Sequence, residues 1–202
     1  MKMKKTTRIT CLSILLSHLL VVGALAEAEI PVPLLGDSKV YRKVMSWREI
    51  RDKGVVKQGF DYSCGSGALA TLMNIAFAER VREDEIIQLI LEDKNPTDIE
   101  NITKNGYSLL DLKKVAESKG YITAMYRLQI QHLYQLKGPV LIYFEPEGEK
   151  HFAVLKTVKN NKAYLADPSR GNITVPLYRF QKEWSGVILA IDRNPSVPGT
   201  AH

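Results

Sequence analysis

The sequence predicts an α+β domain, with a helical first half followed by an antiparallel sheet. Two textures carry that reading. Between Trp47 and Lys119 the apolar residues recur at helical spacing. From Tyr121 to Ile191 they come instead in short runs rich in β-branched and aromatic residues. The two textures follow one another rather than alternate, which argues against a doubly wound parallel sheet. No internal repeat or low-complexity tract interrupts them.

The chain opens with Lys2, Lys4, Lys5 and Arg8, then an apolar run from Ile9 to Ala24 broken by Ser13, Ser17 and His18, then Ala24-Leu25-Ala26. A basic start, a short apolar middle and a small-x-small end describe a secretory signal peptide, with cleavage expected after Ala26. The run falls short of the about 20 apolar residues that span a bilayer. Residues 27–43 read as an extended lead-in, 44–193 as one domain and 194–202 as a loose tail.

Within the domain, Trp47 to Lys53 reads as a short helix stopped by Gly54. Cys64 to Ala78 is a longer one, with Ala68, Leu69, Leu72, Met73 and Ala76 on one face. Glu83 to Glu92 and Ser108 to Lys119 follow, the latter with Ser108 as N-cap and Gly120 as stop. Strands are expected at 121–127, 140–144, 151–158, 163–166, 173–175 and 187–191, with one helix at 129–136.

The formal net charge is +6, but the leader holds four basic residues and no acidic one. What remains is near balance and gives no argument for nucleic acid or an anionic membrane as partner. Of two cysteines, Cys11 leaves with the leader. The mature chain keeps Cys64 alone and can form no internal disulfide, so in an oxidising compartment this thiol wants a reason.

The neighbours supply one. Gln58-Gly59-Phe60-Asp61-Tyr62-Ser63-Cys64-Gly65-Ser66-Gly67 places the thiol at a helix N-terminus, where dipole and free N–H groups favour the thiolate. Gly65 and Gly67 are poor helix formers, and their bare backbone is expected to let a substrate approach the sulfur. Gln58 is placed to donate to an oxyanion together with the Cys64 N–H. A nucleophilic thiol needs a base. His202 is terminal and His132 sits in a polar stretch, whereas His151 opens the apolar strand His151-Phe152-Ala153-Val154-Leu155. Asp167, ending the next strand before Pro168, can orient that imidazole. Strand parity sets a condition. A plain two-residue turn at Asn160-Asn161 puts Asp167 opposite Val154, on the wrong face. A three-residue loop at 159–161, or a bulge, puts it opposite Ala153, on the face of His151. Neither Cys nor His shows metal-ligand spacing, and no cofactor is implied.

In this order the residues resemble papain-like cysteine peptidases, most closely the bacteriocin-processing, double-glycine-leader family. That family's pattern is similar to Gln58, Cys64-Gly65 with Leu69, His151-Phe152-Ala153-Val154-Leu155 and Asp167-Pro168, with Gly106-Tyr107-Ser108-Leu109 fitting as well. The resemblance covers about Val44 to Arg193. It implies a papain-like fold, with Cys64 as nucleophile, His151 as general base, Asp167 as its orienter and Gln58 as oxyanion donor. The chain departs from the family in having Ser63, not an acidic residue, before the cysteine. It also reads as having its own signal peptide, and no transporter is expected with it. The expectation is therefore a peptidase acting on a peptide or protein outside the cytoplasm, without a stable membrane anchor. Two other readings use the same scaffold: a catalytically silent binding or accessory protein, and a cell-wall amidase or transpeptidase.

Overall fold

A computed structural model describes residues 28–33, 39–92 and 94–195. The expected signal peptide and the tail beyond residue 195 lie outside the described residues. The chain divides into two units between Val44 and Met45. In the first, β1 (Ala28–Pro33) and β2 (Lys39–Val44) pair antiparallel as a two-stranded sheet.

The second unit begins with α1 (Trp47–Asp52), closed by a capping box between Ser46 and Glu49. The central helix α2 (Cys64–Phe77) follows, then α3 (Glu83–Leu91), α4 (Pro96–Asn105) and α5 (Leu109–Ser118). Ser108 caps α5 with Asp111 reaching back, as its sequence predicts. The strands are β3 (Tyr121–Arg127), β4 (Val140–Phe144), β5 (His151–Lys159), β6 (Lys162–Asp167) and β7 (Gly171–Pro176). Helix α6 (Leu177–Glu183) then leads into β8 (Trp184–Arg193). The expected helix at 129–136 is a 3-10 helix over Ile130–Gln135. The six strands form one antiparallel sheet in the order β3-β8-β4-β5-β6-β7.

This sheet is covered on both faces, so its middle strands are apolar throughout. On one face Leu141, Phe152, Val154, Ala166 and Leu189 pack against α2 and the other helices. On the other, Ile142, Phe144, Leu155 and Leu165 pack against Phe180 of α6 and Leu133. Helix α2 differs from the one-faced helix its spacing predicts. It is buried on every side from Cys64 to Met73, while Ala76 is exposed. Small residues permit this: Gly, Ser and Ala let sheet and helices close around a single backbone. Helices α4 and α6 were not expected.

Candidate active site

Cys64 is the first residue of α2, and its helix has no acidic side chain in the first turn. The macrodipole there acts on the thiol with no carboxylate of the first turn opposing it. Cys64 keeps only 7% of its surface exposed. His151 is the first residue of β5, and its imidazole lies beside the Cys64 side chain, close enough for the sulfur to raise its pKa. Its Nε2 lies 3.0 Å from Asp167 Oδ1. Cys64, His151 and Asp167 are thus brought together from helix and sheet, with the His151–Asp167 pair hydrogen-bonded.

The parity condition is met by a bulge. Asn160 and Asn161 both adopt positive φ, 51° and 54°, as the two central residues of a tight hairpin turn. The register then shifts between Leu155 and Thr157, leaving Lys156 as the extra residue. Beyond the shift Val154 faces Ala166, so Asp167 falls on the His151 side. The surplus Lys156 reaches Asn172 Oδ1 at 2.6 Å, and burial pushes its pKa down.

Asp167 is fully buried and fully used. Oδ1 accepts from His151 and from the backbone N–H groups of Ser169 (2.8 Å) and Arg170 (3.0 Å), while Oδ2 accepts from Arg170 Nε at 2.8 Å. Burial alone would raise this carboxyl's pKa. His151, followed by the Arg170 backbone and guanidinium, outweighs it and holds Asp167 well below the usual carboxylate range. Burial likewise works against a charged His151, but its bond to Asp167, and then the neighbouring Cys64, raise it to about 9. The Arg170 guanidinium also lies over the Phe144 ring, whose neighbour in an edge-on contact is His151. The imidazole is therefore fenced by a ring and aimed by a carboxylate.

Gln58 sits on the loop before α2. Its backbone N–H donates to Pro168 O at 3.1 Å, which ties this loop to the Asp167-Pro168 turn. Its side-chain Nε2 donates to Phe60 O at 3.0 Å, leaving the second amide hydrogen of that nitrogen outside this bond. His132 is exposed, as expected, with Nδ1 accepting from the Gln129 N–H. His202 lies outside the described residues.

The two glycines do not serve the purpose expected of them. Both are buried, and their missing side chains make room for protein. A Cβ on Gly65 would meet Leu112 at 3.1 Å and Tyr107 at 3.2 Å; one on Gly67 would meet Pro168 Cβ at 2.9 Å and Val56 O at 3.1 Å. This predicts opposite outcomes for two similar changes. Alanine gains about 1 kcal/mol of helix propensity over glycine at either site. At Gly65 the obstacle is chiefly a flexible leucine end, so Gly65→Ala should be near neutral in thermal unfolding. At Gly67 the obstacles are a proline ring and a carbonyl, and overpacking of about 1–3 kcal/mol should win, lowering the Tm.

Sequence reasoning did not anticipate Arg170 or Glu83. Arg170 carried a weak signal, since an Asp that opens a turn often takes the N–H groups two and three residues on. Glu83, which reaches the loop before Cys64 from α3, carried none in the sequence.

A profile of the Peptidase C39 family matches residues 52–196. The Probable functional amyloid protease FapD of Pseudomonas aeruginosa is 36% identical over 181 residues, spanning 89% of this chain and 79% of that protein. Its Pseudomonas fluorescens counterpart is 32% identical over 181 residues, spanning 90% and 77%. Among solved structures, the peptidase domain of Streptococcus ComA, a bi-functional ABC transporter, superposes with a TM-score of 0.59 at 20% identity, covering 69% of this chain and 98% of that one. A double glycine motif protease from an AMS/PCAT transporter, in complex with its leader peptide, gives 0.57 at 23%, covering 69% and 91%. At such identities these two show the papain-like fold alone. The reading as a silent binding protein gives way to the protease relatives. The family profile, and protease relatives matched over more than three quarters of their length, agree that this chain is a cysteine peptidase belonging to the Peptidase C39 family.

Proposed function

We propose that the protein is exported and hydrolyses a peptide bond in a protein of a functional-amyloid system. The Cys64 thiolate attacks the carbonyl carbon. The oxyanion that forms is held by the Cys64 N–H and the remaining Gln58 amide hydrogen. The C–N bond breaks as the His151 imidazolium gives its proton to the leaving nitrogen. His151 then takes a proton from water, whose oxygen displaces sulfur from the acyl carbon and frees the thiol. Asp167 keeps the imidazole aimed throughout. The observation that carries this reading is the hydrogen-bonded His151–Asp167 pair brought beside Cys64 at the N-terminus of a helix.

The substrate proposal rests on the name of the FapD relatives, which match most of this chain. Export rests on the leader-like start of the sequence. The structure with bound leader peptide belongs to a more distant relative, so cleavage after Gly-Gly is a weaker expectation.

A peptide vinyl sulfone tests the chemistry. It should modify Cys64 in the wild type and fail to modify His151→Ala. Its pH profile has a defined sign. With His151 raised to about 9, the imidazolium persists above neutrality, and labelling should stay high until its alkaline limb near pH 9. The protonated imidazole also stabilises the fold. That contribution is complete below the unfolded histidine value, about 6.5, and fades as pH rises through about 9. Equal labelling of the His151→Ala protein would refute the pairing.

A further inference from the structure

The segment from Gln58 to Ser63 is a loop, yet the proposed reaction asks it to set two hydrogen-bond donors at a fixed spacing. These are the Gln58 amide at one end and the Cys64 backbone N–H at the other. Gln58 Oε1 is buried with no partner among the described residues, so its amide is held through the bond from Nε2 to Phe60 O. Phe60 is held in turn by Ser63, whose Oγ accepts from the Phe60 N–H at 3.1 Å and whose N–H donates to Phe60 O at 3.1 Å. Ser63 is fully buried, and its single hydroxyl proton goes to Glu83 Oε1 at 2.6 Å, the shorter and charge-assisted of its two choices. The Gly59 N–H donates to the same carboxylate, 2.9 Å from Oε2 and 3.1 Å from Oε1. Glu83 itself is fixed in the first turn of α3, where the helix dipole favours a carboxylate.

We infer that Glu83 is a positioning residue for peptide-bond hydrolysis: its carboxylate spans the Gly59 N–H and the Ser63 hydroxyl, and so sets the distance between the Gln58 amide and the Cys64 N–H. This rests on the mechanism proposed above. Among the described residues the Glu83 carboxylate hydrogen-bonds only to this loop, so it acts through geometry. Oxyanion stabilisation is sensitive to such geometry, because displaced donors lose most of their effect on the transition state.

The test uses Glu83→Ala, Glu83→Gln and Ser63→Ala with the peptide that wild type cuts fastest from a mixed synthetic library, beside a Cys64→Ala control. Glu83→Ala should lower kcat by about tenfold or more with KM within about twofold. Ser63→Ala should lose part of that. Glu83→Gln should recover to within about threefold of wild type, since an amide Oε1 can still accept from both Gly59 and Ser63. Alkylation of Cys64 by iodoacetamide needs the thiolate and no oxyanion donors. It should stay within about twofold of wild type in all three variants. Unchanged kcat in Glu83→Ala overturns the inference. So does a Gln variant as impaired as the Ala variant, which would make the role one of charge. Alkylation falling in step with kcat would mean general damage to the site and also overturns it. If Glu83→Ala does not fold, a Ser63→Ala enzyme with wild-type kcat decides against it. A wild type no more active than Cys64→Ala removes the proposed mechanism itself, and this inference with it.

Discussion

Cys64→Ala is expected to abolish turnover, with a loss of about 10⁴-fold or more in peptide hydrolysis. In the proposed mechanism the sulfur is the nucleophile, and neither His151 nor Asp167 is placed to take that role. His151 is held by its bond to Asp167 for proton transfer, and Asp167 has both oxygens committed. The fold should survive. Removing one sulfur from a small, well-packed position costs about 1 kcal/mol, so far-UV dichroism and thermal unfolding should stay close to wild type. A second signature is expected in the same variant. Cys64 is one of the groups that raise His151, so the imidazole pKa should fall below about 9 when the sulfur goes. Histidine NMR titration reads this directly. Peptide hydrolysis persisting in Cys64→Ala would transfer the nucleophile's role elsewhere.

Asp167→Ala should cost about 10²–10⁴-fold in turnover and should also destabilise the fold. The carboxylate is fully buried and accepts from His151, Arg170 and two backbone N–H groups. Truncation leaves all of them without their acceptor. Losing one partner of a buried pair costs about 3–5 kcal/mol. Arg170 is 42% exposed and can turn to water, which brings the expected loss to about 2–3 kcal/mol in denaturant unfolding. Asp167→Asn should be milder. Its Oδ1 can still accept from His151 while its amide displaces Arg170 toward solvent, so aim survives and charge does not. Activity should fall about tenfold, and the alkaline limb should move to lower pH because Asp167 is a main support of the protonated imidazole. The stabilising effect of Asp167 carries the opposite pH sign to that of His151. Its folded pKa is depressed, so its contribution is present above the usual carboxylate value and is lost as pH falls below it.

The proposed triad was legible because each member announces itself locally. Cys64 precedes a helix, His151 opens an apolar strand and Asp167 ends one against a proline. The parity argument specified that a loop or bulge must intervene. It did not say where, because a bulge at Lys156 depends on contacts to Asn172 from a strand not yet placed. Helix α4 escaped notice although Asn95 and Pro96 form a regular start. Of its residues only Ile102 is buried, so no apolar stripe marks it. Helix α6 has seven residues and buries only Phe180, too little to show a period. The two glycines of α2 were misread for a related reason. A bare backbone looks the same in sequence whether a ligand or Pro168 fills the space.

If Cys64 is the nucleophile as proposed, the small fraction of it left open bears on when a cut can happen as well as where. In the proposed reaction, a bond inside a helix, or one already paired within a sheet, is badly placed to bring its carbonyl carbon to a sulfur that is only 7% exposed. Only backbone that is still loose can enter. A substrate that folds or assembles quickly would thereby escape, and its own rate of ordering would act as the clock on its processing.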